Sequence, residues 1–252
     1  MEGRKILFYL SQKYKGNWDK IYKAVQNQED VKEEDIEKAL VEEKYSFITI
    51  LDNEYPEWLK QTHKPPFVLY YKGNLKVLSD KNYSKVALSD SRHVSKEQKD
   101  IAMDIIQNIS NSTLIIGGEG ELTESVVNDT NNPIIMVLGY DIGHYGYEGL
   151  KQKIKANDGV IITEYPSNSF MELSNDNFMG RYRIMTALAD KVVIPCGVKN
   201  RSGSMLLITH ALTLGKEVFV VPTSLAEKEY INNQLIYEGA IPIYTIDSSI
   251  FS

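Results

Sequence analysis

A chain of 252 residues, 42% of them apolar, is long enough for one large domain, or a main domain with a small appendage, built around a core that needs no covalent staples. Its net charge of −6 excludes a generally basic nucleic-acid coat, so any polyanion site must be a local patch. The single cysteine, Cys196, excludes disulfide frameworks and cysteine-rich zinc sites and suits a reducing compartment.

The first stretch, MEGRKILFYLSQKYKG, has a short apolar run broken by polar residues. It reads as neither a signal peptide nor a membrane span, which leads us to expect a cytoplasmic protein with no membrane partner. Apolar spacing predicts short amphipathic helices at about 3–14, 18–27 and 33–43. The acids crowd here: residues 29–43 carry eight, against two lysines. Next comes ITILDNEYPEWLKQTHKPPFVLYYKGNL, with paired prolines and two apolar strands.

From about residue 80 the pattern changes. Short apolar runs at 86–89, 113–116, 134–138, 159–163, 191–195, 217–222 and 240–244 alternate with helical stretches. Runs that are apolar on both faces and separated by helices predict a mostly parallel sheet covered on both sides. The expected fold is therefore α/β: a Rossmann-like domain with its core at about 80–252, preceded by a small helical unit. In such sheets a ligand binds beyond the carboxyl ends of the strands, near a topological switch point. The loops of interest are SDSRHVS, GGEGELTE, GYDIGHYG, EYPSNS and NRSGS.

NRSGS lies between the strand KVVIP and the helical stretch MLLITHALTLGK. Free N–H groups and the positive end of a helix suit an anion there. Gly203 lets backbone approach a ligand, Ser202 or Ser204 can cap the helix or bond a phosphate oxygen, and Arg201 offers a planar fork of donors. A plain Ser-capped helix with a solvated arginine fits the loop equally well. SDSRHVS is a second turn of this type, with Ser91 and Ser95 as cap candidates and Arg92 beside them. If the two strands are neighbours, Arg92 and Arg201 face one crevice. In GGEGELTE the glycines, Gly118 among them, suit a phosphate turn, whereas Glu119 and Glu121 repel an anion. No G-x-x-x-x-G-K-[ST] occurs, which excludes a P-loop NTPase. Arg181 and Arg183 lie two residues apart in a predicted helix and point in different directions, so that one can face the crevice while the other pairs structurally. Residues 170–216 hold six Lys or Arg against three acids, a local cationic surplus.

The chemistry of catalysis is sparse. His63, His93, His144 and His210 show no metal-ligand spacing, and no G-x-S-x-G elbow occurs. Cys196, read as part of an apolar strand, suits a small buried hydrophobe. Tyr140, Tyr145 and Tyr165 stand near strand ends, where they could stack on bases. No catalytic residue, metal or cofactor is expected.

Taken in order, several segments resemble the DprA/Smf family of DNA-processing proteins, over about 46–245. ILDNEYPEWLKQTHKPPFVLYYKGNL resembles that family's lead-in segment, and VALSDSRHVS its strand–GSR–x-x-S turn. FMGRYRIMTALADKVVIPCGVKNRSGSMLLITHALTLGKEVFVVP resembles the stretch built on F-P-x-R-N-R-I-I-x-G-L-S and R-S-G-S. NNQLIYEGAIPI resembles the N-x-L-I-x-x-G-A ending. The resemblance implies a small helical, SAM-like unit at 1–45 and a Rossmann-like domain with its lead-in at 46–252. It also implies a homodimer that binds and protects single-stranded DNA and helps load a RecA-type recombinase, without nucleotide hydrolysis. Carried over by motif, Arg92, Arg181, Arg183, Arg201, Ser202, Gly203 and Ser204 match the basic pocket, with Ser91, Lys199 and Gly118 beside it. Several positions depart from the family pattern. Asp90 replaces the glycine of the GSR turn, Glu121 a basic residue, Tyr182 an Asn and Met179 a Pro, and no winged helix is expected after Pro222.

Two other readings stay open. GGEGELTE spaces Gly117, Gly118, Gly120 and Glu124 much as P-G-G-x-G-T-x-x-E does in LOG-type phosphoribohydrolases, where Glu124 would act as acid or base. Alternatively, the acids at 90, 119 and 121 mark an interaction module that no longer binds DNA.

Overall fold

The computed structural model describes residues 2–89, 95–118, 120–146, 148–167, 169, 175–198, 202–226 and 230–245, without the side chains of Glu121, Asn175, Asp176, Asn177, Phe178 and Ser202. A nine-stranded sheet forms its centre. Helices α1 (Gly3–Lys13), α2 (Trp18–Gln26) and α3 (Glu33–Glu42) come first, followed by β1 (Ser46–Thr49), α4 (Glu57–Lys60) and β2 (Val68–Gly73). The alternating part then runs β3 (Ser84–Leu88), α5 (Lys96–Asn108), β4 (Ser112–Gly117), α6 (Glu121–Asp129), β5 (Ile134–Leu138), α7 (Glu148–Ala156) and β6 (Val160–Thr163). It continues with α8 (Asn175–Leu188), β7 (Lys191–Ile194), α9 (Ser202–Thr213), β8 (Glu217–Val220), α10 (Asn232–Tyr237) and β9 (Ile241–Pro242). The three expected N-terminal helices and all seven expected strands are present.

The strand order is β1-β2-β6-β5-β4-β3-β7-β8-β9. Strands β3 to β9 pair in parallel, while β2 runs antiparallel to both β6 and β1. The lead-in segment thus extends the main sheet at one edge. The chain moves outward from β3 to β6, then returns across the sheet through α8 to place β7 on the other side of β3. That return makes the β3–β7 junction the switch point.

Burial explains the sequence pattern. Strands β4, β5 and β6 are buried along their whole length because helices cover both faces. Residues of α5, α6 and α7 form one apolar core with one face, and residues of α8 and α9 form the other. The N-terminal helices have a small core of their own around Leu10, Ile21 and Ile36. They are also fastened to the sheet edge: Leu7 and Phe8 pack on Val68 and Tyr70, and the buried Tyr70 hydroxyl donates to Ser11 Oγ at 3.0 Å. Among the described residues no helix is long and apolar enough to cross a membrane, and no cluster of His, Cys, Asp and Glu could hold a metal ion.

Candidate nucleic-acid interface

The expected crevice has its scaffold at the switch point. Strands β3 and β7 are parallel neighbours, so the SDSRHVS and NRSGS loops leave the sheet side by side. Ser89 continues the β3 ladder by donating its N–H to Val193 O at 2.9 Å. Ser89 Oγ, fully enclosed, meets Ser204 Oγ of α9 at 2.7 Å. This bond joins the start of one loop to the end of the other. A second clamp joins the remaining ends. Val198 bridges to Tyr230, and the Tyr230 hydroxyl accepts from Ser95 N–H, at the cap of α5, at 3.2 Å. The described residues that flank 90–94 and 199–201 therefore share these two anchors. Ser91, Arg92, Lys199 and Arg201 themselves lie outside the described residues, as does the Ser202 side chain.

Asn232 sets the direction in which the chain enters NRSGS. Its side chain is fully buried and makes three bonds: Oδ1 accepts from Gly197 N–H at 2.7 Å, and Nδ2 donates to Pro195 O at 3.0 Å and Val221 O at 2.7 Å. One amide thus ties the carboxyl ends of β7 and β8 to α10. Its neighbour Asn233, which stands at the motif position, holds the Thr223 backbone from both sides, at 3.1 and 2.8 Å. Sequence reasoning passed over Ser89, Tyr230 and Asn232. The available signal was a polar residue closing an apolar strand in VALS, and a doubled asparagine in NNQLI.

Among the other expected site residues, Ser204 and Gly118 prove to be buried and Gly203 partly so. Ser204 is buried on Ser89, so it positions the loop and presents no hydroxyl to a ligand. Gly118 is packed under Leu138 and Tyr145, where an added Cβ would come within 2.3 Å of Leu138 Cδ2. Its small size serves packing. Gly203 lies against Tyr182, whose Oη would be 2.3 Å from a Cβ at that position. The glycine near the start of α9 is thus required by a buried ring. Tyr140, Tyr145 and Tyr165 are each no more than 5% exposed, which corrects the expectation that they could stack on bases. Cys196 is buried just beyond β7 and turns its thiol towards Gln98 O, as suits a packing residue.

The two arginines of α8 divide their roles. Arg181 is buried against Gly117 at the carboxyl end of β4, and a Cβ there would be 3.2 Å from its Nε. Its guanidinium lies 5.0 Å from the centre of the Tyr182 ring and donates to Tyr182 Oη at 3.2 Å. Arg183 pairs structurally. It forms a two-pronged ion pair with Glu164, beyond the end of β6, with Nη1–Oε1 at 2.7 Å. Its remaining donors reach Gly180 O at 2.7 Å and Lys64 O at 3.0 Å. Burial opposes the charge on Arg183, but the Glu164 carboxylate outweighs it and holds the guanidinium even more firmly protonated. On α9, burial, with Arg183 and His63 nearby, pushes His210 below its ordinary value.

Residues 46–251 match the family model described as DNA recombination-mediator protein A. A DNA processing protein DprA of Streptococcus pneumoniae is 28% identical over 206 residues, covering 79% of this chain and 71% of that protein. Another, of Bacillus subtilis, is 27% identical over 218 residues, covering 83% of this chain and 71% of that protein. Among solved structures, the S. pneumoniae DprA aligns with a TM-score of 0.72 at 22% identity, covering 98% of this chain and 91% of that one. DNA processing protein A of Helicobacter pylori, whose structure is described in terms of a single-stranded DNA binding mode, aligns with a TM-score of 0.66 at 23% identity, covering 80% and 93%. These structural likenesses speak for the fold. With four-fifths of its length matched by the family model and the family's strand, loop and asparagine segments converging on one switch point, this chain belongs to the DNA recombination-mediator protein A family.

Proposed function

We propose that the protein binds single-stranded DNA in the cytoplasm through the β3–β7 crevice, and that it delivers the strand to a RecA-type recombinase during recombination. The observation that supports this reading is the pair of clamps, Ser89–Ser204 and Ser95–Tyr230–Val198, which join the residues flanking the SDSRHVS and NRSGS segments at the switch point. Arg92, Lys199 and Arg201 would neutralise backbone phosphates, with Ser91, Ser202 and the first N–H groups of α9 as further donors. Gly203 keeps the backbone open there. Arg181 would lend positive potential from beneath, and Arg183, engaged with Glu164, would set the position of α8.

In this reading residues 1–45 are a helical unit and 46–252 the binding domain. Two copies acting as a homodimer would lengthen the DNA path and add avidity. Fluorescence anisotropy of a labelled oligothymidine tests the proposal. Contact with three or four phosphates predicts an affinity that falls about tenfold to fiftyfold between 50 and 200 mM salt. A well-folded protein that binds no oligonucleotide at low salt would remove the proposal and leave the interaction-module reading.

A further inference from the structure

We propose that a single strand leaving the crevice continues onto the helical unit, with Lys15, Lys23 and Lys64 holding phosphates and Tyr22 stacking a base. This inference rests on the crevice being a single-strand site, and it adds a second, separate stretch to that path.

Continuity comes from where the α1–α2 turn sits. Gly16, with φ +72, lies on the carboxyl end of β6, and a Cβ there would come within 2.6 Å of Glu164 O. The turn is thus pressed onto the same rim of the sheet that carries the crevice. Three strand spacings separate β6 from β3, about 14 Å, a span that a few nucleotides cross. The adjoining 61–67 loop is fixed to the same rim by Arg183 Nε, which donates to Lys64 O at 3.0 Å. The indole N–H of Trp18 donates to Pro65 O at 2.8 Å, so α2 and this loop form one surface.

That surface has the chemistry of a stacking platform. Tyr22, Trp18 and Phe67 form a continuous stack, with ring centroids 4.9 and 5.3 Å apart. Phe67, partly buried, ends it against the small N-terminal core, and Tyr22, 42% exposed, ends it in solvent. Lys64 Nζ lies 5.4 Å from the Trp18 ring. Its ion pair with Asp19 joins two exposed groups and is easily exchanged for a phosphate. Residues 13–23, KYKGNWDKIYK, carry four lysines against one acid, whereas residues 29–43 carry eight acids, five of them on α3. A base can extend the stack beyond Tyr22 whatever its identity, while the lysines follow the backbone.

Oligothymidines of two lengths, about 5 and about 25 nucleotides, separate the two stretches. We expect Tyr22→Ala to weaken the long oligonucleotide about fivefold or more and leave the short one unchanged, with Tyr22→Phe restoring binding. Lys15→Ala/Lys23→Ala should lower the salt slope for the long oligonucleotide by about 1.4. Neither substitution disturbs a buried group, and each variant is checked by thermal melting. Unchanged binding of the long oligonucleotide by both variants, while Arg201→Ala weakens binding of both lengths about tenfold or more, would overturn this inference and leave the crevice intact. Equal weakening of both lengths would overturn it too, since it would place Tyr22 in the crevice itself. Failure of the wild type to bind either length would remove the crevice proposal, and this extension with it.

Discussion

Replacing Asn232 by leucine keeps the branching of the side chain but adds bulk and removes three hydrogen bonds from a fully buried position. Gly197 N–H, Pro195 O and Val221 O lose their partner where water cannot take its place. A buried polar group left without a partner costs about 1–3 kcal/mol, so the loss sums to at least about 3 kcal/mol. For a chain of this size that corresponds to a fall in Tm of about 6–12 °C. Asn232→Asp should be worse than Asn232→Leu, because it sets a carboxylate oxygen against two carbonyl oxygens. Urea denaturation of the three proteins gives the stability order. Anisotropy under folding conditions should also show weaker oligonucleotide binding by Asn232→Leu, since Gly197 and Val198 launch the NRSGS loop. An Asn232→Leu protein within about 0.5 kcal/mol of wild type would refute the reasoning, because no arrangement that keeps those three groups buried could be so indifferent to the amide.

Three further outcomes follow from the same geometry. Gly203→Ala should destabilise by about 1–3 kcal/mol through collision with Tyr182, and Tyr182→Asn in the same chain should recover part of the loss; denaturation of the double variant measures the coupling. Arg183→Met should cost about 3–5 kcal/mol because it leaves the Glu164 carboxylate buried and unpaired, and Glu164→Gln added to it should restore part of that in the same assay. His210 is held below 6.5 in the fold, so the unfolded chain takes up its proton first as pH falls. Stability contributed by neutral His210 is therefore present above about pH 6.5 and declines below it, and His210→Asn should flatten Tm against pH between about 7 and 5.

What could be read in advance follows from physical range. The central strands were visible because they are buried on both faces and read as unbroken apolar runs, as in IIMVL. The switch point followed less directly: adjacency of VALS and KVVIP is a matter of pairing across a hundred residues, stated only as a condition. The Ser89–Ser204 bond spans 115 positions and left no local trace. Arg183 was assigned to phosphate because its motif holds it beside Arg181. Its partner, Glu164, sits in a different loop, and only the return of α8 across the sheet brings the two together. The lead-in strands were seen, but their antiparallel attachment to β6 was not, since short apolar runs carry no mark of direction. The three tyrosines near strand ends were misplaced because a strand end can be as buried as its middle when a neighbouring unit covers it. Tyr165, under the α1–α2 turn at Gly16, is the example.

The most direct test of the crevice is single-strand binding by Arg201→Ala beside the wild type, measured by anisotropy across a salt series, with melting curves to establish that both are folded. The account predicts wild-type binding that weakens steeply with salt and a variant of unchanged Tm that binds at least about tenfold more weakly with a shallower slope. Equal affinity and equal slope for the two proteins would contradict it, because the loop between Val198 and Ser204 would then hold no phosphate.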